Sequence, residues 1–205
     1  MAARQAGDKN RSRKSPASST GRLRIVAGMW RCRVLEIADV PGLRPTPERV
    51  RETLFNWLTP CIVGARCLDL FAGTGALGLE ALSRGAREAV FVEKSPEALA
   101  ALRRNIGKLD ARGALVHAGD ALAFLGKAGQ RPFDVVFLDP PFAHDAIGDL
   151  CRLLDEREVL SPGGRVYLEQ DRARELPGLP PRWSVLKNKT AGNVRYALAA
   201  CAAGA

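Results

Sequence analysis

The chain predicts a doubly wound α/β fold: a mostly parallel sheet with helices on both faces, extended by a small N-terminal β-hairpin and closed by a C-terminal antiparallel hairpin. Three observations carry this. From Arg66 to Leu168, short apolar runs alternate with segments of helical periodicity, the pattern of repeated βαβ units. One apolar run leads into a glycine turn, Gly73-x-Gly75-x-x-Gly78, that opens a helix. Another, Phe133-Asp-Val-Val-Phe-Leu138, reads as a buried strand. At 205 residues, 46% hydrophobic and 26% charged, the length permits one such domain with small appendages.

Residues 1–20 are rich in Arg, Ser, Gly and Lys with almost no apolar anchor, so a disordered basic tail is expected. A transit peptide shares that composition but needs an amphipathic apolar face, which this stretch lacks. Leu23–Ala27 and Gly28–Ile37 predict two short strands about a glycine turn, a hairpin over residues 21–40 with arginines on one side. Residues 1–33 hold nine basic side chains against Asp8, and the remainder holds 22 basic and 21 acidic ones. A basic front end on a neutral body points to a polyanion, here nucleic acid.

The main domain is expected over residues 41–199, with 200–205 frayed. Pro41-Gly42 marks a turn. Thr46 is expected to cap a helix that has Pro47 first and Glu48 beside its positive end, with Val50, Leu54, Trp57 and Leu58 as its apolar stripe and Pro60 as its stop. Arg49 and Arg51 lie off that stripe, either facing a ligand or solvated. A strand follows over Arg66–Phe71, then helix Ala76–Arg84, strand Ala89–Val92 and helix Pro96–Leu109, capped by Ser95. Next come strand Ala114–His117, helix Ala121–Leu125, strand Phe133–Leu138, helix Asp145–Leu154 and strand Arg165–Leu168. Trp183–Lys189 and Val194–Ala199 flank Gly192-Asn193 as the closing hairpin.

Five cysteines without a Cys-x-x-Cys spacing indicate neither a zinc site nor a disulfide framework, which suits a reducing cytoplasm. No apolar run approaches the roughly 18 residues of a membrane helix.

Two stretches carry chemistry. Gly73 and Gly75 allow a tight turn with backbone N–H groups turned to a ligand, and Gly78 allows close strand–helix packing. The spacing also matches the dinucleotide fingerprint, with Glu93 about 20 residues on as a ribose-binding acid, so the turn alone leaves the cofactor open. The second stretch is Asp139-Pro140-Pro141-Phe142. Its prolines remove two N–H donors, leaving an acceptor-rich rim of carbonyls and one carboxylate, and Phe142 offers a face for a flat base. Such a rim suits the exocyclic amino group of a nucleobase.

Asp69-x-Phe71-x-Gly73-x-Gly75 resembles the first motif of class I S-adenosylmethionine-dependent methyltransferases, whose fold is Rossmann-like, and Asp139-Pro-Pro-Phe142 resembles their amino-methylating tetrad. With Arg44-Pro45-Thr46, Arg49-Val-Arg51-Glu-Thr-Leu-Phe55-Asn-Trp57-Leu58 and the Trp30-Arg31 hairpin, the chain is similar to the RsmD family, the 16S rRNA (guanine(966)-N2)-methyltransferases, from about Leu23 to Leu198. Three positions depart from the family pattern: Ala27 and Cys32 stand where glycine is usual, and Phe142 where many relatives have tyrosine.

The resemblance implies S-adenosylmethionine as cofactor, with Asp69, Phe71, Gly73, Thr74 and Gly75 about its methionine part. It places Glu93 on the ribose, with Lys94, Asp120 and Ala121 near the adenine. Asp139, Pro140, Pro141 and Phe142 are then the catalytic set. Arg24, Trp30, Arg31, Arg33, Arg44, Thr46, Arg49 and Arg51 are the expected RNA contacts. The partner implied is 16S rRNA within an assembled small subunit, met by a monomer in the cytoplasm, without metal or membrane. Glu169 also ends a strand, and is assigned no role. Tyr196 and Lys189 read as core packing and a solvated charge.

Overall fold

The computed structural model describes residues 22–40, 45–127, 131–141 and 147–203. The basic tail, the Pro41-Gly42 turn, Arg44 and Phe142 lie outside these. The hairpin consists of β1 (Arg22–Arg24) and β2 (Val34–Glu36), paired antiparallel with Leu23 opposite Leu35. After α1 (Glu48–Leu58), the chain alternates β3 (Arg66–Asp69), α2 (Ala76–Ser83), β4 (Glu88–Glu93), α3 (Pro96–Leu109), β5 (Ala114–Ala118), α4 (Ala121–Leu125), β6 (Phe133–Leu138), α5 (Ile147–Glu156) and β7 (Leu160–Asp171). It ends in β8 (Trp183–Ala191) and β9 (Val194–Cys201).

The main sheet has the order β5-β4-β3-β6-β7-β9-β8, parallel as far as β7 and antiparallel beyond. Successive side chains on a strand point to opposite faces. Cys67, Phe91, Val135, Phe137 and Tyr167 therefore pack with α1, α2 and α3, while Leu68, Val90, Val92, Val136, Leu138 and Leu168 pack with α4 and α5. Both faces are covered, which is why the central strands read as unbroken apolar runs rather than alternating ones.

α2 is buried on every side, its outer face lying under the hairpin. Gly78 is required there: a Cβ at this position would come within 2.2 Å of the Phe91 ring on β4. The helix also buries Glu80, which a merely apolar helix would exclude. Its Oε2 accepts from Val26 N at 2.8 Å and Arg51 Nη1 at 3.1 Å, and its Oε1 from Ala27 N at 3.0 Å and Arg84 Nε at 2.8 Å. Ser83 Oγ accepts from Trp30 N, and Asn105 of α3 exchanges hydrogen bonds with both backbone groups of Glu36. The hairpin is thus docked through polar bonds onto α2 and α3.

Several boundaries differ from the sequence expectation. α1 starts one residue later, with Pro47 at the cap position and no side-chain cap bond, because the Thr46 hydroxyl is bonded elsewhere. The strand expected over Arg165–Leu168 spans Leu160–Asp171, since pairing with β6 and β9 extends it past its apolar centre. Ala200 and Cys201 belong to β9, and Ala202 N donates to Arg182 O, so the C-terminal end is paired further than expected. β3 stops at Asp69 rather than Phe71, where the chain bends into the glycine turn. Cys32 has a φ of 65°, the left-handed conformation that suits glycine, at one of the two positions where the resembled family usually carries glycine.

Candidate active site

The strand order reverses between β3 and β6, and in open α/β sheets ligands bind beyond the carboxyl ends of the strands at such a switch point. Both chemistry-bearing stretches lie here: Asp69 ends β3 and leads into the glycine turn, and Asp139 follows β6 directly.

On the β3 side, Gly73 and Gly75 have φ of 52° and 88°, and Gly75 opens α2. Asp69 is 2% exposed, and its Oδ2 accepts from Gly78 N at 3.0 Å. Burial, with the nearby Glu93 charge adding to it, pushes the Asp69 carboxyl up to about 7 against the pull of the Gly78 N–H. Glu93 spans the turn: Oε2 accepts from Gly73 N at 2.8 Å and Oε1 from Lys94 N and Ser95 N at 2.9 and 2.7 Å. Thr74 is buried, Phe71 packs on the α4 and α5 face, and Lys94 is exposed. Asp120 caps α4 by accepting from Leu122 N at 2.9 Å, with Ala121 buried beside it. The acids at the ends of β3 and β4 and just past β5 thus form a row along one side of the crevice.

On the β6 side, Asp139 Oδ2 lies 3.2 Å from Thr46 Oγ1. Burial, the carboxylate of Glu169 and that of Asp69 raise the Asp139 carboxyl well above the ordinary range, with the Thr46 bond opposing. Glu169 is 3% exposed and bonded by the Tyr167 hydroxyl at 2.6 Å. Burial raises it too, against hydrogen bonds from Tyr167 and Thr46. Leu138 pairs with Leu168 in register, so Asp139 and Glu169 follow matched positions on adjacent parallel strands. Pro140 is buried and Pro141 exposed.

Among the expected RNA contacts, Arg24, Arg31, Arg33 and Arg49 are exposed, and Trp30 is partly buried against the core. Two expectations are corrected. Arg51 does not face a ligand: it is 1% exposed, donating to Glu80, to Thr46 O at 3.1 Å and to Arg24 O at 2.8 Å. Thr46 is likewise enclosed, at 3% exposure, with its hydroxyl on Asp139. Glu80 and Ser83 belong to no motif that marks them in the sequence, although a lone acid within Ala-Leu-Gly-Leu-Glu-Ala-Leu-Ser signals a buried partner. Among the described residues no group of three or more His, Cys, Asp or Glu is arranged to hold a metal ion. No described helix is long and apolar enough to cross a membrane.

A family profile described as "Conserved hypothetical protein 95" matches residues 23–200. A curated relative from Escherichia coli, ribosomal RNA small subunit methyltransferase D, is 45% identical over 186 residues, covering 91% of this chain and 93% of that protein. The chain belongs to the RsmD family. A relative of the same name from Haemophilus influenzae is 43% identical, over 88% of this chain and 95% of its own. Among solved structures, a putative methyltransferase from Escherichia coli superposes with a TM-score of 0.82 at 42% identity, over 90% of this chain and 100% of that one. The RsmD match over residues 23–200 spans both the glycine turn and Asp139.

Proposed function

We infer that this RsmD-family protein uses S-adenosylmethionine to methylate the exocyclic N2 of a single guanine in 16S rRNA, on the assembled small subunit. The observation that carries the amino-group reading is Asp139: a carboxyl at the switch point, beside a proline carbonyl and across the crevice from the glycine turn. The cofactor fits the residues present. Asp69 is a buried carboxyl that accepts from the backbone N–H of Gly78 and is suited to an ammonium; Glu93, which accepts from Gly73 N, and Asp120, which accepts from Leu122 N, are proposed to take the ribose hydroxyls and the adenine edge.

When bound, S-adenosylmethionine supplies an electrophilic methyl group on a sulfonium. The protein's share is placement and acceptance. Asp139 and the Pro140 carbonyl accept from the guanine amino hydrogens, which favours a tetrahedral nitrogen with its lone pair directed at the methyl carbon. Holding the two reactants near one another supplies much of the acceleration. Phe142, outside the described residues, is proposed to stack on the extruded base. The exposed arginines of the hairpin and Arg49 are proposed to meet RNA phosphates.

Mass mapping of rRNA from cells with and without the protein tests the target: loss of one N2-methylguanine on deletion supports it, and loss of a different modification overturns it. Asp139→Ala is expected to abolish turnover while leaving cofactor affinity within a few fold. Retained turnover would remove Asp139 from the chemistry.

A further inference from the structure

The basic hairpin is docked on α2 and α3, and α2 packs on β4, so its arginines lie on the β3 and β4 side of Asp139. The opposite side of the sheet ends in β8, an edge strand whose residues Ser184–Thr190 are exposed. β9 is antiparallel to both β7 and β8, so β8 runs parallel to β7 and its carboxyl end lies at the crevice end of the sheet. The register leads directly from the site to this edge. Leu138 pairs with Leu168, Glu169 with Tyr196 and Tyr196 with Lys189, so Asp139, Glu169, Tyr196 and Lys189 form one row across neighbouring strands. Three strand spacings of about 4.8 Å put the Lys189 backbone roughly 14 Å from that of Asp139.

Lys187 lies opposite Leu198 and Lys189 opposite Tyr196, so both lysines share the sheet face on which Leu198 and Tyr196 pack with α1 and on which α2 and α3 carry the hairpin. α1 reaches this edge with Trp57, whose ring stacks on Tyr196 with centroids 5.4 Å apart, and Lys189 Nζ lies 5.9 Å from the centre of the Trp57 ring. The aromatic face attracts the ammonium and holds it over the sheet rather than out along the edge. Among the described residues Lys187, Lys189 and Arg172, which is exposed just past β7, form no ion pair. Asp171, beside Arg172, turns Oδ1 to Ala173 N at 2.8 Å. Uncompensated cations at one end of a sheet attract a polyanion. Edge lysines also guard a sheet against strand addition, but that role needs only charge at the edge and no continuous row to the site.

We propose that Lys187, Lys189 and Arg172 form a second phosphate-binding surface, on the far side of Asp139 from the hairpin, which holds the RNA strand flanking the target guanine. This rests on the rRNA-methylation reading above. Phosphate contacts fix the register of a nucleic acid on a protein without reading its sequence. With cations on both flanks of Asp139, the backbone on each side of the target is held, and the base between them is the part that turns into the crevice. The hairpin by itself leaves one flank unheld.

The test uses the full-length protein and small-subunit particles from cells that lack it, with binding measured at several salt concentrations. Lys187→Ser combined with Lys189→Ser is expected to lower the slope of log affinity against log salt by about 1.4–1.8, at about 0.7–0.9 for each phosphate, and to raise KM for particles while KM for S-adenosylmethionine stays unchanged. Lys187→Glu combined with Lys189→Glu keeps the edge charged and is expected to weaken particle binding further, whereas Lys187→Arg combined with Lys189→Arg is expected to keep the wild-type slope. A Glu pair that binds particles with wild-type affinity and slope overturns the proposal. So does a Ser pair whose only change is self-association in sedimentation, which would make the lysines edge guards. Failure of wild type to methylate any guanine N2 in the particles overturns the reading beneath, while the salt slopes still report on the surface.

Discussion

Replacing Arg51 by Met separates an RNA-facing arginine from a buried one. The guanidinium is 1% exposed and makes three bonds, to Glu80 Oε2 at 3.1 Å, Thr46 O at 3.1 Å and Arg24 O at 2.8 Å. Removing one partner of a buried ion pair costs roughly 3–5 kcal/mol, since the other is left uncompensated. Glu80 retains three donors, from Val26, Ala27 and Arg84, and methionine refills the apolar stem, so the expected cost is near the lower end, about 3 kcal/mol. For a domain of this size about 2–4 °C of Tm goes with each kcal/mol, which gives a fall of about 6–12 °C. Thermal melts followed by circular dichroism read this directly. Because Arg51 also holds the Thr46 backbone, kcat is expected to fall as well. The opposite result would be an unchanged Tm together with a salt dependence of RNA binding reduced by about one phosphate. That outcome would make Arg51 an RNA ligand and refute the buried network.

Changing Arg24, Arg31 and Arg33 together to Ser is expected to lower the slope of log affinity against log salt by roughly 2 to 3, at about 0.7–0.9 for each phosphate no longer neutralised; filter binding at several salt concentrations measures it. Gly78→Ala places a methyl 2.2 Å from Phe91, and destabilisation of about 1–3 kcal/mol is expected in denaturant unfolding. Asp69 gives a pH signature. Its carboxyl is raised from 3.8 to about 7 in the fold, so its contribution to stability is complete below pH 3.8 and is lost as pH rises through about 7. A bound ammonium reverses the preference. S-adenosylmethionine is therefore expected to bind more tightly as pH rises from about 6 to about 8, releasing close to one proton, which calorimetry in buffers of different ionisation enthalpy detects. Asp69→Asn is expected to abolish that proton release.

The local grammar of the chain is legible without a structure. Alternating apolar and periodic runs are set by backbone periods of 2 and 3.6, and they locate the strands and helices of the main domain to within a few residues over most of its length. Gly73, Gly75 and Gly78 announce a turn and a close approach, and Ser95 with Pro96 announces the start of α3, where Ser95 accepts from Ala98 N. Asp139 followed by two prolines is legible because a core strand has no local need for that ending. Packing alone settles which side chains meet across long sequence separations. Helical spacing puts Arg51 off the stripe of α1, yet it is buried, because the hairpin and α2 cover that side and Glu80 supplies the charge that makes burial tolerable. Thr46 has the sequence context of a cap, and is a bridge because Asp139, 93 residues away, takes its hydroxyl. Glu169 comes beside Asp139 only because β6 and β7 align Leu138 with Leu168. Periodicity is a property of neighbours along the chain, whereas the burial and protonation of a polar group depend on neighbours in space, and those are set by strand order and by what covers each face.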